Sequence, residues 1–186
     1  MTRNLDDDAL MAATARGEET AFRLLVQRWE GQVKAFLIHM LGSVEEAEDL
    51  AQDTFVQVFR KAGSYQGEGR FQSWLFRIAG NYARSKLRRR KILGWVSFNP
   101  VVHDRHGGLP DPQEELEASE GASQLRQAVT RLPERQRQAL VLHRFQGLKY
   151  KEVAEVMDTT VPGVESLIQR AMAGLKNELA GKVDGP

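Results

Sequence analysis

Four polar side chains, Arg77, Asn81, Arg84 and Arg88, recur at three- and four-residue intervals and so share one face of a helix. They run into Arg84-Ser85-Lys86-Leu87-Arg88-Arg89-Arg90-Lys91, a density of fixed positive charge that repels itself unless an anion lies alongside. Nucleic acid is the anion such a stripe fits. The plainer alternative is a solvated, Arg-rich helix end, which also suits the negative pole of the helix dipole. Catalytic chemistry has no comparable support: His39, His103, His106 and His143 are scattered, no His-Glu-x-x-His is present, and the acids fall on solvated helix faces. The Gly-rich stretch from Gly63 to Arg70 lacks a following Gly-Lys-Ser/Thr and a preceding strand, so a nucleotide cradle is not expected. His103 and His106 are a conceivable metal pair without an obvious third ligand, so no metal or other cofactor is expected.

A second constellation lies between Leu148 and Leu175. Tyr150–Met157 reads as a short amphipathic helix with Val153, Ala154 and Met157 inward, and a second helix follows with Val164, Ile168, Ala171 and Leu175 inward. Between them Asp158-Thr159-Thr160 predicts a tight corner, because Asp tolerates the left-handed backbone and Thr caps the next helix. Pro162 suits a first turn, where its missing N–H costs little. Two short helices joined this tightly, with small Ala154 permitting close approach, predict a helix-turn-helix whose second helix can enter a major groove, although an ordinary helical hairpin has the same pattern.

The elements that position these residues are all helical. Asp6-Asp7-Asp8 starts a helix continuing to Ala15 and ended by Gly17, and Glu19 to about Leu41 forms a longer one with Phe22, Leu25, Val26 and Trp29 inward. Gly42-Ser43 breaks it, and Ser43 with Glu46 predicts a capping box for a helix over 44–61 that buries Val44, Ala47, Ala51, Phe55 and Val58. The basic helix buries Phe71, Trp74, Leu75, Ile78, Ala79 and Tyr82. From about Gly94 to Gly121 periodicity collapses around Pro100, Gly107, Gly108, Pro110 and Pro112. That predicts a flexible linker and two separate modules, at 1–94 and 122–186 with 95–121 between. In the second, helices are expected near 122–131, 134–145 with Pro133 in its first turn, 150–157 and 161–179. The fold class is therefore all-α: two small helical domains and a linker.

In 186 residues the formal charge is only +1, so attraction to nucleic acid must come from local segregation of sign. Glu45, Glu46, Glu48, Asp49 and Asp53 form an acidic block, 84–91 a basic one, and Asp111, Glu114, Glu115, Glu117 and Glu120 a second acidic one. The absence of cysteine excludes disulfides and thiolate chemistry and fits a reducing compartment. No apolar run approaches the roughly 20 residues that span a bilayer, and the acidic start is unlike a signal peptide. A cytoplasmic protein is expected, with no membrane insertion.

Taken in series, Glu46-x-Glu48-Asp49-Leu50-x-Gln52-Asp53-x-Phe55, then Phe71-x-x-Trp74-Leu75-x-x-Ile78-Ala79-x-Asn81 with its Arg cluster, then Leu132-Pro133 and the helix-turn-helix resemble the bacterial sigma factors of the extracytoplasmic-function group. The resemblance spans nearly the whole chain in the correct order. It implies a sigma-2-like first domain that docks core RNA polymerase on the beta-prime coiled coil through Asp49, Gln52 and Asp53. The same domain would melt and hold a promoter minus-ten element with Tyr65, Gln66, Arg77, Asn81, Arg84 and Arg88. It further implies a sigma-4-like second domain that touches the beta flap and reads duplex minus-thirty-five DNA with Lys149, Tyr150, Glu165, Ser166, Gln169 and Arg170. Many members carry Gly-Thr-Val-Lys/Arg-Ser-Arg where this chain has Pro162-Gly163-Val164-Glu165-Ser166-Leu167, two cations fewer and one acid more. An anti-sigma protein is an expected partner in a stress or envelope response, and no enzymatic step is expected. Two other readings remain at this point: a sigma mimic that titrates an anti-sigma protein, and a stand-alone helix-turn-helix repressor.

Overall fold

The computed structural model describes residues 6–96 and 120–180, and no strand occurs among them. Helix α1 (Asp7–Ala15) starts where the Asp6 carboxylate accepts from the Ala9 N–H at 2.7 Å, a side-chain cap for an otherwise orphaned donor. Helix α2 (Glu19–Leu41) turns its Leu25, Trp29, Val33, Phe36, Leu37 and Met40 inward and ends at Gly42 in the left-handed conformation. Helix α3 (Val44–Arg60) is capped by the Ser43 hydroxyl, which accepts from the Glu46 N–H at 3.3 Å. Only this half of the expected capping box forms: the Glu46 carboxylate is turned instead to Arg90 and to Lys86, 3.6 Å away, tying α3 to the basic helix.

Helix α4 (Phe71–Val96) carries that basic helix through the first core. Phe71, Leu75, Ile78 and Ala79 are buried as their spacing predicts, and Trp74 and Tyr82 are half-buried. Phe76 and Ala83 are also fully buried. Phe76 meets Phe36 edge-on at 5.3 Å and Trp29 at 6.3 Å, so α4 is covered over a wider arc than one amphipathic stripe.

The second region comprises α5 (Glu120–Arg131), α6 (Glu134–Leu140), α7 (Tyr150–Met157) and α8 (Val161–Ala180). Pro133 sits one residue before α6, not in its first turn, and the expected 134–145 helix widens into a π-helical turn at Val141–Phe145. His103, His106 and the second acidic block up to Glu117 lie outside the described residues.

The two regions, expected as separate modules, are packed against one another here, α7 on α4 and α5 and α6 on α2. Arg137, only 9% exposed, donates to the Met40 carbonyl of α2 while also holding Thr130 and Leu132 carbonyls of its own region. Arg90 donates to the neighbouring Leu41 carbonyl at 3.0 Å. The orphan carbonyls at the negative end of α2 are thus met by one guanidinium from each region. Beside them Gln138, 1% exposed, lies against Gly80, where an added Cβ would stand 2.5 Å from its Nε2. Only glycine permits that approach. The joint is close-fitting but polar: neither amide atom of Gln138 has a hydrogen-bond partner among the described residues.

Candidate nucleic-acid interface

Of the basic block, the fold uses two cations. Lys86 and Arg90 are paired with Glu46, and Arg90 also binds the end of α2. Arg77, Asn81 and Arg88 are exposed on α4 and Arg84 is half-buried, its guanidinium donating to the Asn81 side-chain oxygen. Asn81, Arg84, Ser85, Arg88 and Lys91 line one cleft of about 440 Å³. Its remaining wall is Glu134 of α6, a carboxylate from the second region facing three cations of the first. The charge of such a cleft suits an anion, and its amide has the donor and acceptor a base edge requires.

The loop before α4 places Tyr65 and Gln66 differently from each other. Gln66 is exposed. Tyr65 is half-buried, its ring edge-on to Phe71 at 5.9 Å and tilted against Trp74 at 5.0 Å, and its hydroxyl donates to Asp8 at 2.6 Å. Burial, then the bond to Asp8 and its negative charge, push the phenol well above its usual range, so it remains a neutral donor. Phe71 and Trp74 are packing residues for this loop, as their buried-stripe positions predict.

The helix-turn-helix takes the shape its spacing predicts. Asp158 adopts φ 51° and ψ 59° at the corner, and Thr160 caps α8 by accepting from the Gly163 N–H at 3.2 Å. Val153, Ala154, Met157, Val164, Ile168, Ala171 and Leu175 are all buried. Glu165, Gln169 and Arg170 are therefore exposed on α8, with Ser166 half-buried beside them. At the entrance to α7 Lys149 is exposed, its N–H donating to Glu152, and Tyr150 leans edge-on against His143 at 4.7 Å.

The third surface is a groove of about 740 Å³ between α2 and α3. Asp49, Gln52 and Asp53 are all exposed on α3, and Gln52 with Glu48 stands on the groove wall. Its apolar lining, Phe22, Val26, Phe55, Val56 and Phe59, was not picked out from sequence as a site. Val56 and Phe59 remain 48% and 49% exposed. Their signal was present: both are apolar at positions off the Ala47-Ala51-Phe55-Val58 stripe, where a solvated face should be polar.

Among the described residues no group of three or more His, Asp or Glu side chains could hold a metal, and no helix is long and apolar enough to cross a membrane. Residues 25–92 match the family model of Sigma-70 region 2, and residues 122–175 that of Sigma-70, region 4. The RNA polymerase sigma-H factor of Pseudomonas aeruginosa is 31% identical over 180 residues, covering 93% of each chain. The ECF RNA polymerase sigma-E factor of Haemophilus influenzae is 31% identical over 186 residues, covering 96% of this chain and 98% of its own. Among solved structures, the sigma factor RpoE of Bartonella quintana in complex with the anti-sigma factor NepR superposes with a TM-score of 0.73 at 25% identity, over 88% of this chain and 98% of that one. CnrH in complex with the cytosolic domain of CnrY does so with a TM-score of 0.71 at 26% identity, over 96% and 99%.

Proposed function

The chain belongs to the extracytoplasmic-function sigma factors, which bind core RNA polymerase and direct it to promoters, and on that premise we propose how its surfaces divide the work. The α4 face carries the minus-ten element: Arg77, Arg84 and Arg88 hold phosphates of a melted strand, and Asn81 bonds an unstacked base while Gln66 closes over it from the loop. Tyr65 serves chiefly as the loop's anchor, because its hydroxyl and ring are already engaged. The α8 face, Glu165, Ser166, Gln169 and Arg170, reads duplex minus-thirty-five DNA, with Lys149 and Tyr150 at flanking phosphates. Asp49, Gln52 and Asp53 supply the acidic rim of the polymerase dock, and the apolar groove beside them takes a helix of the larger enzyme.

One observation carries the reading of α4: Glu46 and the end of α2 account for Lys86 and Arg90, whereas among the described residues Arg77, Arg84 and Arg88 form no salt bridge and stand on the same face as Asn81. A fold that merely needed solubility would not segregate its cations in this way. The two regions separate in the holoenzyme, since Glu134 occupies the cleft a strand must enter; the unpartnered Gln138 amide favours that release. An anti-sigma protein, such as the one in the RpoE complex, holds the chain inactive by binding it away from polymerase. No bond is made or broken by this chain, and it works in the cytoplasm beside its enzyme and template.

The test is promoter opening by reconstituted holoenzyme. Asn81→Ala and Arg77→Ala are each expected to slow opening about tenfold or more, the worth of one base or charged contact, while leaving affinity for core polymerase unchanged. Unchanged opening in both variants defeats the α4 assignment.

A further inference from the structure

Asp8 lies in the first turn of α1, yet its carboxylate is directed away from its own helix. One oxygen accepts from the Tyr65 hydroxyl at 2.6 Å and the other from the Gly69 N–H at 2.6 Å, 57 and 61 residues along the chain. Gly67, between them, lies so close that an added Cβ would sit 3.2 Å from Asp8 Oδ2. Gly69 has φ 68°, and residues 66–70 are all exposed. A stretch with two glycines and little burial gains almost nothing from packing, so its shape must come from hydrogen bonds at its ends.

From this clamp we infer that Asp8 is a positioning residue for promoter recognition: its single carboxylate fixes both ends of the loop that presents Gln66 to the minus-ten base. Both bonds are charge-assisted, and together they close a five-residue loop into one conformation. Asp8 itself contacts no DNA; it acts through Tyr65 and Gly69. The neighbouring acids have other tasks, Asp6 capping α1 and Asp7 pairing with Arg28 at 2.6 Å. The inference rests on the reading that this loop meets a base, and the experiment below separates the two.

Full-length variants are assembled with core polymerase on a promoter carrying a fluorescent base analogue in the minus-ten element. Asp8→Ala is expected to slow opening about tenfold and flatten the preference for the correct base at the position Gln66 meets, with core affinity unchanged. Asp8→Asn can still accept from Gly69 and donate to the tyrosine oxygen, so it should recover most of the loss. Asp7→Ala removes an acid from the same helix turn and should leave base preference intact. Hydrogen exchange in Asp8→Ala should speed at Gly69 and not in α2. If Asp8→Ala lowers core affinity and opening together, or if Asp8→Asn and Asp8→Ala behave alike, the carboxylate supports only the fold and the inference fails. Normal opening in Asp8→Ala alongside a defect in Gln66→Ala sinks the role of Asp8 but keeps the loop as reader. Normal opening in Gln66→Ala and Asp8→Ala alike overturns both.

Discussion

On the proposed reading, the two DNA-facing helices solve recognition with opposite means. On α4 three arginines flank one amide, and the nearby acid of the same region, Glu46, is occupied with the two cations the fold needs. On α8 one cation, Arg170, shares its face with Glu165, Gln169 and Ser166, so charge nearly cancels and hydrogen-bond pattern is left to decide. A melted strand has bases pointing anywhere and a backbone that must be gripped, which suits cations. A duplex presents ordered base edges in the major groove, which suits amides and a carboxylate that can accept from the cytosine amino group. On this reading the first region grips its strand chiefly by charge and reads it through Asn81 and Gln66, whereas the second relies chiefly on hydrogen-bond pattern.

The largest effect is expected at the joint between the regions. Arg137→Leu would leave the Met40, Thr130 and Leu132 carbonyls short of a donor in a buried setting, and about 3 kcal/mol of stability should be lost, seen as a lower denaturation midpoint. An unshifted midpoint would show that the two regions are not held together by this guanidinium. A smaller effect sharpens the contrast between readers. Glu165→Gln should alter discrimination at one minus-thirty-five base pair by about 1–3 kcal/mol and hardly change the salt dependence of duplex binding, whereas Lys149→Ala should lower the salt slope by about 1 without changing base preference. Equal salt effects from both would erase the distinction.

The smallest effect concerns His39, on α2 at the joint. Its ring packs on Phe145 at 4.3 Å and its Nδ1 donates to the Ala35 carbonyl at 2.7 Å. Burial lowers its pKa from the ordinary 6.5; the Ala35 bond partly opposes this, and the nearby Arg126 cation adds to the lowering. The unfolded chain therefore binds a proton that the folded chain resists. The contribution is fully present above pH 6.5 and is lost as pH falls from there toward the lower folded value. Thermal unfolding should show a fall of roughly a few degrees over that interval that disappears in His39→Gln. Persistence of the same pH dependence in that variant would place its origin elsewhere.

Much of the fold was legible because helices are encoded locally. The end of α2 and the start of α3 follow from Gly42 and Ser43, the corner at Asp158 from one residue's tolerance of the left-handed region, and the inward face of α8 from four apolar residues at helical spacing. Phe76 escaped because a single-stripe reading allows a helix one covered face, and α4 has partners on several sides. The apolar groove escaped because Val56 and Phe59, although visibly apolar off the main stripe, do not specify what they face until α2 brings Phe22 to meet Phe59 at 5.1 Å.

By itself, then, the order of residues determined the helices, the polarity of their faces and the family, all of which depend on spacing along a few turns. Tertiary structure alone decided which cations are available, that Asp8 reaches Tyr65 and Gly69, and that Glu134 and Arg137 meet the first region. Those pairings join residues tens of positions apart, and no local periodicity specifies which distant partner a charged side chain will find.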